Sequence, residues 1–504
     1  MRTPSSGPEL DSRAGSAAIR STDGVLAWPE VYELAGAIGR QIRHGLDPRR
    51  AGTDAGIPRV AHCFDLVPEA VPALLAIRVG GCAAFPIHPH WEPDRRRLLL
   101  NEAGIEALIA PAGMNPPGPE WDLGQVEIEG SSPLELFTRD MRLELFTRDM
   151  RPNQIPPAPP GTEILLATSG TSGRLRLACH SWKTLRANAA AANERNVFGP
   201  GDSWHATLAW AHVGGLAVAV RAEVAGGCVS IGAPRFDAGA LRRPLTRDSA
   251  THLSLVPTML HQALEEGVPP DGLRCVLVGG AAATDALLDR ARGAGWPVVP
   301  TYGLTEAGSQ VATAFPEPAP PAARAPRGED ALPLLDGFQA RTAVDGELAI
   351  RGSALMLGYL SRPTPFDREG WFPTGDLGVV VGASDPRRVR IVGRRSERLV
   401  SGGANVDPIE VEMALREHPA VRGVCVTGTP DAVWGEIVTA IVATDSGASI
   451  DGLEGWARQR LSGPRVPRRW WFVDTLPSLP SGKIDRAGLR ELASRRAYRD
   501  GGPD

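Results

Sequence analysis

Lysine is nearly absent from this sequence: of its 54 basic side chains, only Lys183 and Lys483 are lysines. Alanine, glycine, proline and arginine are abundant, the mark of a GC-rich coding bias that thins lysine by itself. A lysine that persists stands where arginine cannot serve, since a compact ammonium and a planar guanidinium are not interchangeable. Cysteine is sparse as well. Six are scattered over positions 63, 82, 179, 228, 275 and 425, with no CxxC or other metal-like pair. Such thiols fit a reducing cytoplasm and are expected to be buried and unreactive. No apolar run approaches the roughly 18 residues of a membrane span; the longest weakly polar stretch, Val213–Val229, is interrupted by Arg221 and Glu223. The net charge of −4 provides no basic field for nucleic acid or an anionic membrane. Residues 1–24 hold Ser, Gly, Pro and Arg around no apolar centre, so a disordered lead-in is expected there rather than a signal peptide.

What is present is globular. A chain of 504 residues, 42% apolar and 22% charged, suggests two or more domains. Val31, Leu34, Ala35, Ile38 and Ile42 recur at helical spacing between Trp28 and Leu46. Strand-like and helical runs then alternate through Arg59–Leu66, Ala70–Val79, Ala83–Ile87, Asp94–Ala103 and Ala107–Ala110, the rhythm of a parallel sheet covered by helices on both faces. Residues 134–142 (LELFTRDMR) recur perfectly at 143–151, which reads as a tandem duplication in a connector. Pro152–Pro160 reads as an extended linker. A second α/β series runs from Glu163 to Thr313, then a Pro/Ala-rich loop spans Pro316–Arg327. Turn signals at Asp345-Gly346 and Gly382–Pro386 punctuate short strands and predict a small β-rich unit. Asp407-Pro408-Ile409-Glu410 offers an N-cap, a first-turn proline and a capping-box acid. It opens a final α+β domain of about 110 residues.

Five segments carry the chemistry. In Leu165–Arg174 an apolar run ends in Thr168, Ser169, Gly170, Thr171, Ser172, Gly173 and Arg174. Glycine turns let backbone N–H groups converge on phosphate oxygens, the hydroxyls add donors, and the cation neutralises charge. The pattern is not a Walker loop, and alone it is also what a Ser/Gly turn looks like. The second segment pairs Val276–Ala281, with Gly279, Gly280 and Ala281, with Thr301–Glu306, which contains Tyr302, Gly303, Thr305 and Glu306. Both run from a buried strand into a loop, where ligands of open α/β sheets sit. The glycines permit a flat base near the backbone, Tyr302 offers a ring, and Glu306 suits Mg2+ or, equally, a helix start. The third, Trp371–Asp376, places Asp376 at a turn, either to accept two ribose hydroxyls or simply to cap that turn. The fourth, Gly393–Glu397 leading to Ser401, Gly402 and Gly403, has the glycine content of a hinge. The fifth, Leu479–Arg486, puts Lys483 on a Pro/Gly loop tip, where a lysine is ordinarily just solvated.

Taken together, in this order and spacing over residues 25–490, these segments resemble the adenylate-forming superfamily of acyl-CoA synthetases, peptide-synthetase adenylation domains and luciferases. The resemblance implies an α/β fold: a large N-terminal AMP-binding domain of layered α/β sheets with a small β-rich subdomain (25–393), a hinge at 394–396, and a small mobile α+β C-terminal domain (397–504). Thr168–Gly173 would form the phosphate loop, with Arg174 beside it. Gly279–Ala281, Tyr302 and Gly303 would hold adenine, Thr305 and Glu306 phosphate and Mg2+, and Asp376 and Arg394 the ribose. Lys483 would be the adenylation lysine, and Ser401–Gly403 would line the thiol channel. ATP, Mg2+ and coenzyme A are the implied cofactors, and a small carboxylic acid the partner, with no nucleic acid and no membrane span. The oligomeric state stays open.

Within the superfamily the chain is similar to 2-succinylbenzoate–CoA ligases of menaquinone biosynthesis. The similarity rests on Cys179-His180-Ser181-Trp182, Ala211–Leu216, Ser254–Leu260 and Thr305–Gln310. It implies an acyl pocket at His212 and Gln310. Two departures stand out: Arg174 replaces a frequent lysine and Leu175-Arg176 a Pro-Lys, and Ser396 stands where Asp or Lys is usual, with Glu397 beside it. Another acyl- or aryl-CoA ligase, a stand-alone enzyme loading a carrier protein, and a nucleotide-binding homologue without catalysis are the alternatives.

Overall fold

The computed structural model describes residues 17–21, 24–46, 57–91, 93–111, 122–126, 143–147, 155–169, 175–316, 331–382, 387–401, 404–431, 433–444, 450–477 and 484–500. Two eight-stranded sheets form the bulk of the chain. The first runs, edge to edge, through Ser309–Thr313, Val298–Leu304, Cys275–Val278, His252–Leu255, Ser203–Ala206, Cys228–Ile231, Ala17–Ser21 and Gly24–Ala27. Its central pairings are parallel, so those strands end at one edge. The second runs through Gly358–Tyr359, Leu175–His180, Ile164–Ser169, Ala83–Ile87, Arg59–Cys63, Ala107–Pro111, Leu143–Thr147 and Asp122–Val126. Its centre is parallel and both flanks are antiparallel.

The hydrophobic pattern explains this layering. Arg59–Cys63 and Ala83–Ile87 are buried along their whole length, as parallel strands under helices on both faces must be. The helix Trp28–Gly45 buries Val31, Leu34, Ala35, Ile38 and Ile42, the positions the 3.6-residue period selects. It packs against the helix Ala70–Val79. All six cysteines are buried and free, and burial raises those at 63, 82, 228, 275 and 425 to about 12. Thiols held that far from ionisation do not act as nucleophiles. No helix among the described residues is long and apolar enough to cross a membrane.

A third, antiparallel sheet of Leu332–Pro333, Arg388–Arg394, Phe372–Val381, Glu347–Gly352 and Phe338–Thr342 is the β-rich unit. The last region is α+β. Ala404–Val406, Leu399–Ser401, Gly435–Thr444 and Val421–Asp431 form its sheet, and Arg469–Val473 adds in parallel to Gly435–Thr444. The helix Pro408–Arg416 starts as its sequence suggests, with the Asp407 carboxylate accepting from Ile409 N at 3.0 Å. Glu410 is not the capping-box acid; its carboxylate pairs with Arg465 at 3.1 Å.

Three further expectations are corrected. Within the 1–24 lead-in, Ala17–Ser21 is a strand, parallel to Cys228–Ile231 and antiparallel to Gly24–Ala27, because Ala18 and Ile19 fill the core. The duplication is not confined to a connector. Its second copy supplies Leu143–Thr147, seated between Ala107–Pro111 and Asp122–Val126 with Leu143 and Leu145 buried, while the first copy, 134–142, lies outside the described residues. From residue 155 on, the proline stretch is docked on the body rather than being only a linker: Pro156 O accepts from Arg59 Nη2 at 2.6 Å, and Pro157 O from Ser361 N at 3.0 Å.

Candidate active site

Two strands of the first sheet deliver seven of the predicted groups to one edge. Cys275–Val278 leads into Gly279, Gly280 and Ala281, and Val298–Leu304 leads into a single 3-10 turn, Thr305–Ala307. Gly303 is required by packing: a Cβ there would lie 2.0 Å from the Ser309 carbonyl oxygen. The Glu306 side chain is 9% exposed and its Oε1 accepts from Thr168 Oγ1 at 3.2 Å and from Tyr359 Oη at 2.8 Å. The Thr305 carbonyl lies 2.9 Å from His180 Nε2, which fixes the proton on that nitrogen. Burial lowers His180 to about 4, so the ring is neutral near pH 7.

Tyr302, Asp376 and Arg394 form a second chain of contacts. Tyr302 Oη donates to Asp376 Oδ2 at 2.7 Å, and Arg394 Nε meets Asp376 Oδ1 at 2.8 Å. Burial, together with the Asp376 charge, pushes the Tyr302 phenol well above its ordinary range, so it remains a donor. Burial alone would lower Arg394, but Asp376 and Glu397 hold it above its usual value. The expectation of a turn aspartate is corrected here. Asp376 lies inside the strand Phe372–Val381, is 3% exposed, and sits directly opposite Arg394 in the ladder. The tight turn signal belongs to Gly375, at φ +76°.

Other predicted residues sit elsewhere. The Gln310 amide is spent in the core: Nε2 donates to Thr313 Oγ1 at 2.7 Å, and Oε1 accepts from Asn196 Nδ2 at 3.2 Å. His212 precedes the helix Val213–Ala225, its ring 6.5 Å from that of His88. Ser401 ends the strand Leu399–Ser401, fully buried. Gly170, Thr171, Ser172, Gly173, Arg174, Gly402, Gly403 and Lys483 lie outside the described residues, as does the Ser169 side chain.

The candidate hinge is tethered on both sides. Arg395 Nη1 reaches Glu347 Oε2 at 2.7 Å on the third sheet, while Glu397 Oε2 lies 3.8 Å from Arg486 Nε. Arg486 also forms a charge pair with the buried Glu412 at 2.5 Å. Gly393 accommodates this junction, because a Cβ there would lie 1.6 Å from Asp407 Oδ2.

Sequence reasoning gave no role to two residues. Tyr359 is one of only four tyrosines, so the scarcity argument applied to lysine would have flagged it. Arg221, in the sequence, only interrupts an apolar stretch. It is 1% exposed, stacks over the Trp204 ring at 4.9 Å, and donates from Nη2 to Ser309 Oγ at 3.1 Å, while its Nε has no partner among the described residues. Burial lowers its pKa to about 10.

An α/β body of this layering, with hydroxyl, carboxylate and tyrosine groups gathered at its strand ends and a small α+β unit following, defines a class. The chain matches AMP-binding enzymes over residues 11–360 and the AMP-binding enzyme C-terminal domain over 410–483. It belongs to that family, the adenylate-forming superfamily, and is an enzyme of the acid–thiol ligase class. Among curated relatives it is similar to 2-succinylbenzoate–CoA ligases. That of Geobacillus kaustophilus is 35% identical over 307 residues, 58% of this chain and 61% of the relative. That of Bacillus licheniformis is 31% identical over 353 residues, 66% of this chain and 72% of the relative. The crystal structure of o-succinylbenzoate CoA synthetase (MenE) from Bacillus subtilis in complex with the acyl-adenylate intermediate OSB-AMP superposes with a TM-score of 0.75, at 24% identity, over 94% of this chain and 95% of that one.

Proposed function

We propose that this chain is an ATP-dependent acid–CoA ligase that converts a carboxylic acid to an acyl-adenylate and then to its CoA thioester, releasing pyrophosphate and AMP. One observation carries the reading: Glu306 and Asp376 are both buried carboxylates, reached from one strand end and engaged by Thr168 and Tyr359 on one side and by Tyr302 and Arg394 on the other. In the first half-reaction the acid's carboxylate attacks the α-phosphorus of ATP. Two anions must approach, so the barrier is largely electrostatic and preorganised donors and cations lower it. Thr168 and the loop through Arg174 receive the phosphates, Asp376 and Arg394 the ribose, and Gly279–Ala281 and Tyr302 the adenine. Lys483 supplies the ammonium between the reacting anions.

Mg2+ fits Glu306. One carboxylate oxygen is occupied by two hydroxyls, and the other accepts no hydrogen bond from the described residues. A magnesium ion that arrives with a nucleotide needs only one or two protein carboxylates; Glu306 would hold it, and there it would neutralise phosphate charge. In the second half-reaction the C-terminal domain turns about 394–396, Lys483 withdraws, and Ser401–Gly403 line the path of the thiol. Arg395 and Glu397, tied to opposite sides of the junction, suit that turn.

The acid that fits best is 2-succinylbenzoate, which would place the enzyme in menaquinone biosynthesis. Arg221 supports this reading. Its guanidinium is buried and meets no carboxylate among the described residues; such an arrangement is costly, and a substrate bearing a second carboxylate would compensate it. A panel of aryl acids with one or two carboxylates, scored for AMP release with and without CoA, tests the proposal. Turnover is expected only with CoA, with a preference for the dicarboxylate that Arg221→Leu abolishes. Equal turnover of monocarboxylates by the wild type would refute the substrate, and AMP release indifferent to CoA would refute the acceptor.

A further inference from the structure

Tyr359 is not among the residues that the sequence motifs bring to the phosphates, yet its hydroxyl makes the shorter of the two side-chain hydrogen bonds that Glu306 accepts among the described residues, 2.8 Å against 3.2 Å from Thr168. Both donors converge on Oε1. A carboxylate gripped at one oxygen by two hydroxyls cannot rotate freely, and its second oxygen keeps its lone pairs for another ligand. The tyrosine is itself held. It belongs to the short strand Gly358–Tyr359, paired with Leu175–His180 opposite Ala178, and the Arg176 guanidinium lies 5.4 Å from its ring centroid. Arg176 in turn sits opposite Thr168 in the adjoining ladder. Burial, reinforced by the Glu306 charge, raises the phenol above its ordinary value, so it stays protonated as a donor.

We infer that Tyr359 is the positioning residue of the metal-binding carboxylate, orienting Glu306 so that its free oxygen faces a divalent cation carried by the nucleotide. The inference rests on the ligase reading above. It also explains why one of four tyrosines stands here: phenylalanine would fill the same space without a donor, leaving Glu306 one hydrogen bond short.

The test uses the full-length enzyme, Mn2+ as the probe and α,β-methylene-ATP as an unreactive nucleotide, with metal binding read by electron paramagnetic resonance. Tyr359→Phe should weaken nucleotide-dependent Mn2+ binding about tenfold while leaving metal-free nucleotide binding unchanged. Adenylation by the variant should recover at high Mg2+, and thioester formation from supplied acyl-adenylate should match wild type. Thr168→Val, which removes the other donor, should shift metal binding in the same direction. Unchanged Mn2+ affinity in Tyr359→Phe would overturn the inference, and so would parallel loss of both half-reactions without metal rescue. A wild type that shows no nucleotide-dependent Mn2+ binding at all would instead sink the ligase reading beneath it.

Discussion

At the scale of single residues, scarcity is informative because a rare residue has survived a compositional drift that would have replaced it at little cost on the surface. Lys483 and Tyr359 both stand out in this way, one from two lysines and the other from four tyrosines. For Lys483 the consequence is sharp. Lys483→Ala should lower acyl-adenylate formation by at least about a hundredfold, consistent with loss of a preorganised charge, and still permit thioester formation from supplied adenylate. Lys483→Arg should be nearly as poor; single-turnover assays of each half-reaction in which arginine restores wild-type rates would undo the scarcity argument. Asp376 shows what local sequence does not carry. Its neighbours Thr374 and Gly375 announce a turn, yet strand pairing with Arg394 and the hydroxyl of Tyr302, 74 positions away, decide its environment. Gln310 is the converse: an amide assigned to a pocket is satisfied by Asn196 and Thr313 inside the core.

At the scale of elements, periodicity locates helices and strands well wherever one face is buried. Trp28–Gly45, Ala70–Val79 and Ala83–Ile87 fall within a residue or so of the sequence reading. Pairing is not readable in that way, since it depends on partners far along the chain. The duplicated segment illustrates the difference. Either copy carries the same LELFT set, and only the sheet shows that one of them is needed as a strand between Ala107–Pro111 and Asp122–Val126. Deleting residues 134–142 therefore removes a copy while keeping that strand. Turnover and melting temperature should stay close to wild type; a marked loss of folded, active enzyme would show that both copies contribute. Deleting 134–151 removes both copies, and unlike the single deletion it should expose Ala107–Pro111 and destabilise the domain.

At the scale of the whole molecule, the buried histidines give the enzyme a predictable response to acid. Burial lowers His62, His180, His205 and His252 to about 4. In the unfolded chain they would titrate near 6.5. Between those values the unfolded state binds more protons, so their contribution is complete above about pH 6.5 and lost as pH falls toward 4. Asp407 acts in the opposite sense. Burial raises it to about 6, so its folded form favours the proton and its contribution fades as pH rises through that value. Four histidines outweigh one aspartate, and the melting temperature should drop by roughly 10 °C from pH 7.5 to 5, as scanning calorimetry can measure. A flat profile would mean that these rings are accessible to solvent.

The sequence by itself determined the chemistry on offer and its order. Five motifs in order carry the resemblance to the adenylate-forming superfamily, and the alternation of strands and helices is readable because hydrophobic period and glycine placement are local properties. Only the tertiary structure decided which groups meet. Tyr302 reaches Asp376, Tyr359 reaches Glu306, Arg221 comes to lie against Ser309, and Gln310 is withdrawn into the core. Those outcomes are set by how two large sheets and the β-rich unit pack together, and side-chain direction across a packed interface is not encoded in any single stretch of residues.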